Sequence, residues 1–167
     1  MLTRILEREE ADAFWDMRMR MLQDCPDAYG SAYEEEAALS LEAKAERCEW
    51  TEDNFVLGAF DKDGRMIGVV GLRREQRLKS LHKATVWGMY VVPEARGRGV
   101  GHQLLKETLR RAKEIDGLER LLIFVVGGND VAMRLYESLG FVTIGIEPDA
   151  KKQSGRYTDM VHMSLRL

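Results

Sequence analysis

Three glycines at alternating positions, Gly97, Gly99 and Gly101, stand between a β-rich stretch and an amphipathic helix. Glycine has no Cβ, so successive backbone N–H groups can turn toward one point. The helix that follows adds unsatisfied N–H groups and the positive end of its dipole. Turns of this kind bind phosphate groups. The spacing therefore predicts a cradle for an anion that carries several phosphates.

The same spacing separates three kinds of glycine-rich site. A Walker A loop needs Lys and then Ser or Thr directly after its last glycine, whereas His102 and Gln103 follow Gly101. A dinucleotide fingerprint reads G-x-G-x-x-G with an acidic residue about 20 positions later. Here the run reads G-x-G-x-G, and Leu121 and Leu122 stand at that distance. The pattern disfavours both a P-loop and an NAD site.

The run from Arg96 to Gly101 resembles the R/Q-x-x-G-x-G/A signature of the GCN5-related N-acetyltransferases, the GNAT superfamily, whose loop holds the pyrophosphate of acetyl-CoA. A strand precedes it, and a helix, a buried strand, Asn129, a second helix with Tyr136 and Gly140-Phe141 follow it. That order resembles the C-terminal half of the family. Two further segments resemble a bacterial branch of this superfamily, namely Pro26 to Glu36 and His82 to Tyr90. The resemblance therefore spans nearly all 167 residues.

The resemblance implies that Tyr136 is the general acid that protonates the CoA thiolate, because its position relative to Arg96 matches the acid tyrosine of the family. A phenol with a pKa of about 10 can give up this proton. The alternative is a core aromatic, since Tyr136 shares a helix face with Ala132 and Leu139. The residues expected to bind acetyl-CoA are Met89, Tyr90, Val91, Arg96, Gly97, Arg98, Gly99, Val100, Gly101, Asn129 and Tyr136.

Two of these roles keep an alternative at this stage. Asn129 matches an asparagine that contacts the pantetheine arm in the family, but an N-cap of the following helix explains it equally well. Arg96 and Arg98 either add charge to the loop or face water. Met89 and Val91 are expected to act through their backbone N–H and C=O groups, along which the pantetheine arm runs in the family.

The sequence assigns no residue as the general base. Thr85 stands 11 positions before Arg96, where some relatives carry a catalytic glutamate, and threonine cannot do that work. A chain of water molecules that drains the proton of the amine is a further alternative. The other candidates for the base are His82, Glu94, Glu147, Asp149 and Asp159. Each can act as a base only if the fold brings it to the cleft or turns it away from solvent.

The resemblance implies an α/β GNAT (acyl-CoA N-acyltransferase) fold. Its central sheet is mixed and mostly antiparallel, with six to seven strands, about four flanking helices and a splayed parallel strand pair at the CoA site. Periodicity and turn signals place the elements along the chain. Strands are expected at 2–6, 55–60, 66–72, 83–92, 121–126, 141–146 and 159–167, helices at 9–21, 40–50, 100–115 and 130–139, and loops at 23–31 and 148–155.

Composition limits the class of protein. With 167 residues, 45% of them apolar, we expect a single N-acetyltransferase domain over residues 1–167. A net charge of −3 suggests neither nucleic acid nor membrane as a partner. The cysteines and histidines show no metal-ligand spacing, so no metal is expected, and the longest apolar run, Leu121 to Val126, is far too short to span a bilayer. A cytoplasmic location follows as an expectation.

The leading hypothesis is an acetyl-CoA-dependent N-acetyltransferase that moves the acetyl group to a primary amine by direct attack. Cys25 and Cys48 lack a basic setting that would favour an acyl-enzyme. The acceptor is a small-molecule or peptide amine that the sequence does not identify. The alternatives are a catalytically silent CoA-binding sensor or interaction module, which Thr85 supports, and a transferase for a different acyl-CoA. The oligomeric state is open, and a homodimer is compatible with the resemblance.

Overall fold

The computed structural model describes residues 1–48 and 50–167, and over these residues seven strands form one mixed sheet. The strands are β1 (Leu2–Ile5), β2 (Asn54–Phe60), β3 (Met66–Arg74), β4 (Lys83–Val91), β5 (Arg120–Val126), β6 (Val142–Gln153) and β7 (Arg156–Arg166). Their order in the sheet is β1-β2-β3-β4-β5-β7-β6, and only β4 and β5 are parallel neighbours. The helices are α1 (Ala11–Asp24), α2 (Tyr33–Ala37), α3 (Leu41–Arg47), α4 (Val100–Ala112) and α5 (Asp130–Ser138).

The parallel pair separates along its length. β4 and β5 are paired only from Lys83 to Thr85 and from Arg120 to Leu122, and beyond these residues the strands diverge. Gly88 has a φ of 61°, and the register between β3 and β4 shifts close by, which bends β4 away from its neighbour. The opening leaves one edge of β4 without a partner strand. The predicted splayed pair and the mixed, mostly antiparallel sheet are confirmed.

The helix after the glycines packs on the sheet as its apolar pattern predicts. Gly99, with a φ of 76°, directly precedes α4. One face of α4 is buried, and the opposite face carries the charged side chains. Packing of α4 onto the sheet fixes the glycine loop at the end of β4. The buried residues of α4 are Val100, Leu104, Leu105, Thr108 and Ala112.

Helix α1 covers the sheet beside the opening and contributes a cluster of aromatic side chains. Phe14 meets Trp15, Trp50 and Trp87 edge to face, with ring centroids 5.8, 5.9 and 6.4 Å away. Trp87 belongs to β4, so the cluster joins α1 to the strand that borders the opening. No helix of the described residues is long and apolar enough to cross a membrane.

The late loop expected at 148–155 is wrong. β6 continues to Gln153 and β7 starts at Arg156, so only Ser154 and Gly155 form the turn, with φ angles of 48° and 79°. β6 is an edge strand, where a proline removes no needed donor. A register shift between Glu147 and Lys151 accommodates Pro148. A local sequence pattern does not show which strand will lie at the edge, and without that information a proline predicts a break in the strand.

Two helix ends also differ from the expectation. α1 continues to Asp24, and the expected loop at 23–31 contains a short 3-10 turn over Pro26–Ala28. Ser40 caps α3 as predicted, since its Oγ accepts a hydrogen bond from the Ala43 N–H at 3.2 Å, but α3 ends at Arg47.

Candidate active site

A cavity of about 630 Å³ lies where β4 and β5 diverge. Its floor is the open part of β4 and β5, one end is the glycine loop with the start of α4, and α5 and the segment at 25–29 form its sides. Its wall is mostly apolar, with a few polar groups that converge on it, which is the usual character of a ligand site. The residues that carry these polar side chains are Cys25, Tyr29, Trp87, Tyr90, Arg96, His102, Asn129 and Tyr136.

The glycine loop presents open backbone to this cavity. Gly97 and Gly99 have φ angles of 72° and 76°, and no atom lies within 4 Å of the place that a Cβ would take on either. Both residues are exposed, and they lead directly into the first turn of α4. The loop therefore fits a pyrophosphate, since its backbone is accessible and faces the positive end of a helix dipole. Gly101 lies inside that first turn.

The two arginines of the glycine loop differ in their contacts. The Arg96 Nε–H donates a hydrogen bond to the Val91 carbonyl at 2.9 Å, and its guanidinium lies 5.7 Å from the centre of the Tyr90 ring. Arg98 is exposed. Arg96 also places a guanidinium nitrogen 3.8 Å from the Sγ of Cys25. The expectation that Cys25 has no basic neighbour is therefore wrong, because the fold brings a residue 71 positions away onto its sulfur.

The backbone of β4 reaches the cavity at Met89 and Val91. Both carbonyls already accept a hydrogen bond from a side chain of the same chain, since the Tyr29 hydroxyl donates to Met89 at 2.9 Å and Arg96 donates to Val91. The ring of Tyr90 is buried, and its hydroxyl donates to the Asp24 carboxylate at the end of α1. The structure thus brings Met89, Tyr90 and Val91 to the cavity.

Tyr136 lies in α5 on the wall of the cavity and is 6% exposed. Its ring packs edge to face on Phe141, with centroids 6.1 Å apart. Its hydroxyl has no hydrogen-bond partner among the described residues, and burial raises the pKa of Tyr136 to about 12. The phenol is therefore protonated throughout the neutral range and available to a ligand. Its ring also belongs to the core, so the two interpretations of this residue coexist.

Asn129 is the N-cap of α5. Its Oδ1 accepts a hydrogen bond from the Ala132 N–H at 3.2 Å, as one of the two sequence-based alternatives predicts. The residue also lines the cavity. The cap uses only the oxygen, which leaves the amide N–H groups able to donate to a ligand.

No carboxylate belongs to the cavity wall over the residues that the structure describes. Thr85 lies at the last paired position of the parallel strands, opposite Leu122. Glu94 makes hydrogen bonds of 2.7 and 2.9 Å with Arg20, and this contact lowers the pKa of Glu94. Glu94 is therefore a paired surface carboxylate.

The remaining candidates for a base lie outside the cavity wall as described. An oxygen of Glu147 lies 3.1 Å from the Nε2 of His162, and Asp159 accepts a hydrogen bond from the backbone N–H of Asp149 at 3.0 Å. His82 accepts through its main-chain carbonyl at the start of β5. None of these residues is part of the cavity wall as described. The base therefore stays unassigned.

Sequence analysis missed three side chains of the wall: Tyr29, Trp87 and Phe124. Phe124 is 44% exposed although it belongs to an all-apolar run, where periodicity gives no sign of which residue faces a ligand. Tyr29 lies in the segment from Pro26 to Glu36 that carries the family resemblance, and that resemblance was the available signal. No group of three or more His, Cys, Asp or Glu side chains in the described parts of the chain could hold a metal ion.

Comparisons with known proteins agree with this geometry. The sequence model of the Acetyltransferase (GNAT) family matches residues 15–141. An L-methionine sulfoximine/L-methionine sulfone acetyltransferase from Pseudomonas aeruginosa is 29% identical over 112 residues, which cover 67% of this chain and 64% of that relative, so the match spans less than two thirds of its length.

Solved structures show the same fold. An acetyltransferase of the GNAT family from Streptococcus pneumoniae superimposes with a TM-score of 0.88 at 22% identity, over 99% of both chains. A GNAT superfamily phosphinothricin acetyltransferase from Sinorhizobium meliloti, in complex with acetyl-CoA, gives a TM-score of 0.82 at 21% identity, over 99% of this chain and 88% of that one. The predicted family, fold and enzyme class are thereby confirmed: the chain belongs to the acetyltransferase (GNAT) family and is an acyltransferase.

Proposed function

We propose that this protein is an acetyl-CoA-dependent N-acetyltransferase for the primary amine of a small, amino-acid-like acceptor, and that residues 1–167 form a single catalytic domain. The names of the relatives support the acceptor class, since methionine sulfoximine and phosphinothricin are both amino-acid analogues. The single mixed sheet supports the domain assignment.

One observation carries the proposal. The free hydroxyl of Tyr136 lies on the wall of the same cavity that the open glycine loop closes at one end. A donor molecule held by its pyrophosphate at Gly97 and Gly99 would extend along the open edge of β4 toward this phenol. Acetyl-CoA supplies an activated acetyl thioester when it is bound. Transfer then requires a proton for the departing thiolate, and Tyr136 is placed to donate it.

The other residues position the reactants. Backbone N–H groups of the loop and the start of α4 bind the pyrophosphate, and Arg96 and Arg98 add positive charge. Asn129 offers its amide N–H groups to the pantetheine arm. The mostly apolar wall excludes bulk water from the carbonyl that is attacked. No described carboxylate lies on the wall of this cavity, so the base that takes the proton of the amine stays open between a chain of water molecules and a group on the acceptor side.

Two alternatives stay open to the same test. The wall without a carboxylate is also what a CoA-binding module without activity would show. The second alternative is a transferase for a longer acyl-CoA, whose acyl group would need space beyond the position of the acetyl group. Competition between acetyl-CoA and longer acyl-CoA donors in a binding titration distinguishes the donors.

The test is a calorimetric titration with acetyl-CoA, with NADH and ATP as controls, followed by a thiol-release assay in the same samples. The amines are L-methionine sulfoximine, phosphinothricin, the common amino acids and polyamines. We expect saturable binding of acetyl-CoA and release of CoA with the amino-acid pool. Binding without release from any pool would favour the silent module, and no binding would refute the glycine loop as a cradle.

A further inference from the structure

The side chain of Lys151 joins two distant parts of the chain beside the cavity. Lys151 lies in β6 near the tip of the β6–β7 hairpin, opposite Thr158. Its ammonium donates to the main-chain carbonyl of Tyr29 at 2.8 Å and lies 3.4 Å from that of Asp27. Burial lowers the pKa of Lys151, against a smaller opposing effect of the Asp27 charge. Lysine side chains usually extend into solvent, so this half-buried one holds the segment at 27–29 in place.

Tyr29 is held at a second point as well. Its hydroxyl donates to the Met89 carbonyl at 2.9 Å, on the open edge of β4. Burial raises the pKa of Tyr29, so the phenol remains a hydrogen-bond donor throughout the neutral range. The hairpin thus fixes the main chain of Tyr29, and β4 fixes the other end of its side chain.

Tyr29 lines two cavities. One is the cavity of about 630 Å³ that holds the glycine loop and Tyr136. The other, of about 800 Å³, lies between the segment at 22–35 and the hairpin residues Lys151, Lys152 and Gln153. The second cavity is the more polar of the two, with serine, tyrosine, glutamate and lysine side chains around it. Tyr29 is therefore shared by a donor space and a polar space from which an amine could approach.

We propose that Lys151 and Tyr29 form a positioning pair that shapes the acceptor side of the active site, with the acceptor bound in the second cavity. The inference rests on the proposed N-acetyltransferase function. Lys151 holds the segment at 27–29 against the hairpin, and this holds the Tyr29 ring across the approach to Met89. Neither residue takes part in proton transfer. Their loss changes how the acceptor is placed and leaves the pyrophosphate cradle, at the other end of the cavity, intact.

The test compares three lysine variants. Lys151→Met removes the ammonium and keeps the length of the side chain, whereas Lys151→Arg keeps a charged donor. Lys62→Met is the matched control, because Lys62 is exposed in the turn between β2 and β3 and lines neither cavity. With L-methionine sulfoximine as the acceptor, we expect the KM for the acceptor to rise about tenfold in Lys151→Met, the effect of one lost charged hydrogen bond. The Kd of acetyl-CoA should stay within about twofold of the wild-type value, a change below the effect of one neutral hydrogen bond.

Two further results belong to the same proposal. Lys151→Arg should restore most of the loss, and Lys62→Met should behave like the wild type. Tyr29→Phe, which keeps the ring and loses the hydroxyl, should also raise the acceptor KM. Combined with Lys151→Met it should give less than the product of the two single effects, because residues that act as a unit are not additive. The proposal fails if Lys151→Met has the wild-type KM for the acceptor. It also fails if the effects of the two substitutions on this KM multiply fully in the double variant.

A readout without turnover keeps this inference separate from the proposed function. Amide hydrogen exchange in the segment at 25–31 should accelerate about fivefold or more in Lys151→Met and be unchanged in Lys62→Met, while β2 and β3 exchange as in the wild type. Unchanged exchange at 25–31 would overturn the inference. If the wild type releases no CoA with L-methionine sulfoximine, the proposed acceptor class fails, and the exchange result still decides whether Lys151 holds the segment.

Discussion

A Cβ on Gly101 would lie 2.9 Å from the Cε of Met89. It would also lie 3.3 Å from the Cδ2 of Leu135 in α5. Gly101 therefore allows α4 to pack closely against β4 and α5, whereas Gly97 and Gly99 keep backbone open to a ligand. The three glycines of one motif have two different physical functions, and substitutions should separate them.

Gly99→Ala should weaken acetyl-CoA binding more than it weakens the fold. An added Cβ meets no protein atom within 4 Å, so it would occupy the space beside the loop that a pyrophosphate needs. We expect the Kd of acetyl-CoA to rise about tenfold, equivalent to one lost charged hydrogen bond. The left-handed conformation, with a φ of 76°, adds a strain of about 1–2 kcal/mol.

Gly64→Ala is the matched control for this strain. Gly64 has a φ of 77°, also has no atom within 4 Å of a Cβ, and lies in the turn between β2 and β3, away from the cavity. Both variants should lose the same free energy of unfolding in denaturant titrations. Equal acetyl-CoA affinity in Gly99→Ala and Gly64→Ala would show that the loop does not approach the ligand closely.

Gly101→Val should act through packing. The larger side chain displaces Met89 and Leu135, and overpacking of this kind costs about 1–3 kcal/mol. Met89 is also part of the cavity wall, so acetyl-CoA binding should weaken together with stability. Urea denaturation beside calorimetric titration checks both effects. A Gly101→Val protein of wild-type stability would contradict the close packing of α4.

Tyr136→Phe should lower turnover and leave binding almost unchanged. The ring stays packed on Phe141, and only the hydroxyl, which has no partner among the described residues, is removed. General acid catalysis accounts for about a hundredfold or more in rate, so we expect kcat to fall by about that factor. Tyr157→Phe is the control, because Tyr157 is 57% exposed on β7. A wild-type kcat in Tyr136→Phe would remove the phenol from the proposed chemistry.

Cys25→Ala tests direct attack against an acyl-enzyme. Cys25 lies on the cavity wall with Arg96 3.8 Å from its sulfur, so the fold does offer it a basic neighbour. If the amine attacks the thioester directly, the kcat of Cys25→Ala should stay within about twofold of the wild-type value. Removal of a catalytic nucleophile would cause a far larger loss. Mass spectrometry of the wild type incubated with acetyl-CoA alone should then show no acetylated protein. A stable acetyl adduct that is lost in Cys25→Ala would establish the other route.

The parts that could be predicted from sequence have local signals. Glycine readily adopts the positive φ angles seen at Gly97 and Gly99. The spacing of the apolar residues in α4 predicts which face of this helix is buried. The order of strands and helices then limits where the glycine loop can lie. The family resemblance, and not these local signals, implies that the loop lies where a parallel strand pair diverges.

The parts that could not be predicted depend on residues far apart in the chain. Tyr29 and Lys151 are 122 positions apart, and no local pattern connects them. Arg96 and Cys25 meet in the same way. Pro148 indicated a loop because its tolerance in β6 depends on that strand lying at the edge of the sheet. Such contacts follow from the folded topology and not from any short segment.

Glu36 should be essential for stability although it lies outside the cavity. Its carboxylate is buried and lies 3.0 Å from a nitrogen of Arg18 and 2.7 Å from one of Arg47. Glu36→Ala leaves the buried guanidinium of Arg18 without a counter-charge, which costs about 3–5 kcal/mol in other proteins. We expect a loss near the lower end, about 3 kcal/mol, because Arg47 is half exposed. Glu34→Ala, at an exposed position of the same helix, should change the free energy of unfolding by less than about 0.5 kcal/mol.

The same carboxylate should make stability depend on pH in one direction. Burial alone would raise the pKa of Glu36, but hydrogen bonds from Arg18 and Ser31 and the charges of Arg18 and Arg47 outweigh it, so the pKa is lowered. A group whose pKa is lower in the folded state stabilises the fold above its unfolded pKa of about 4.3, and this contribution is lost as the pH falls through the folded pKa. The difference in free energy of unfolding between the wild type and Glu36→Gln should therefore be constant above about pH 5 and shrink below about pH 4. Denaturant titrations between pH 3 and 7 measure it, and a difference that grows on acidification would mean that Glu36 is protonated in the folded protein.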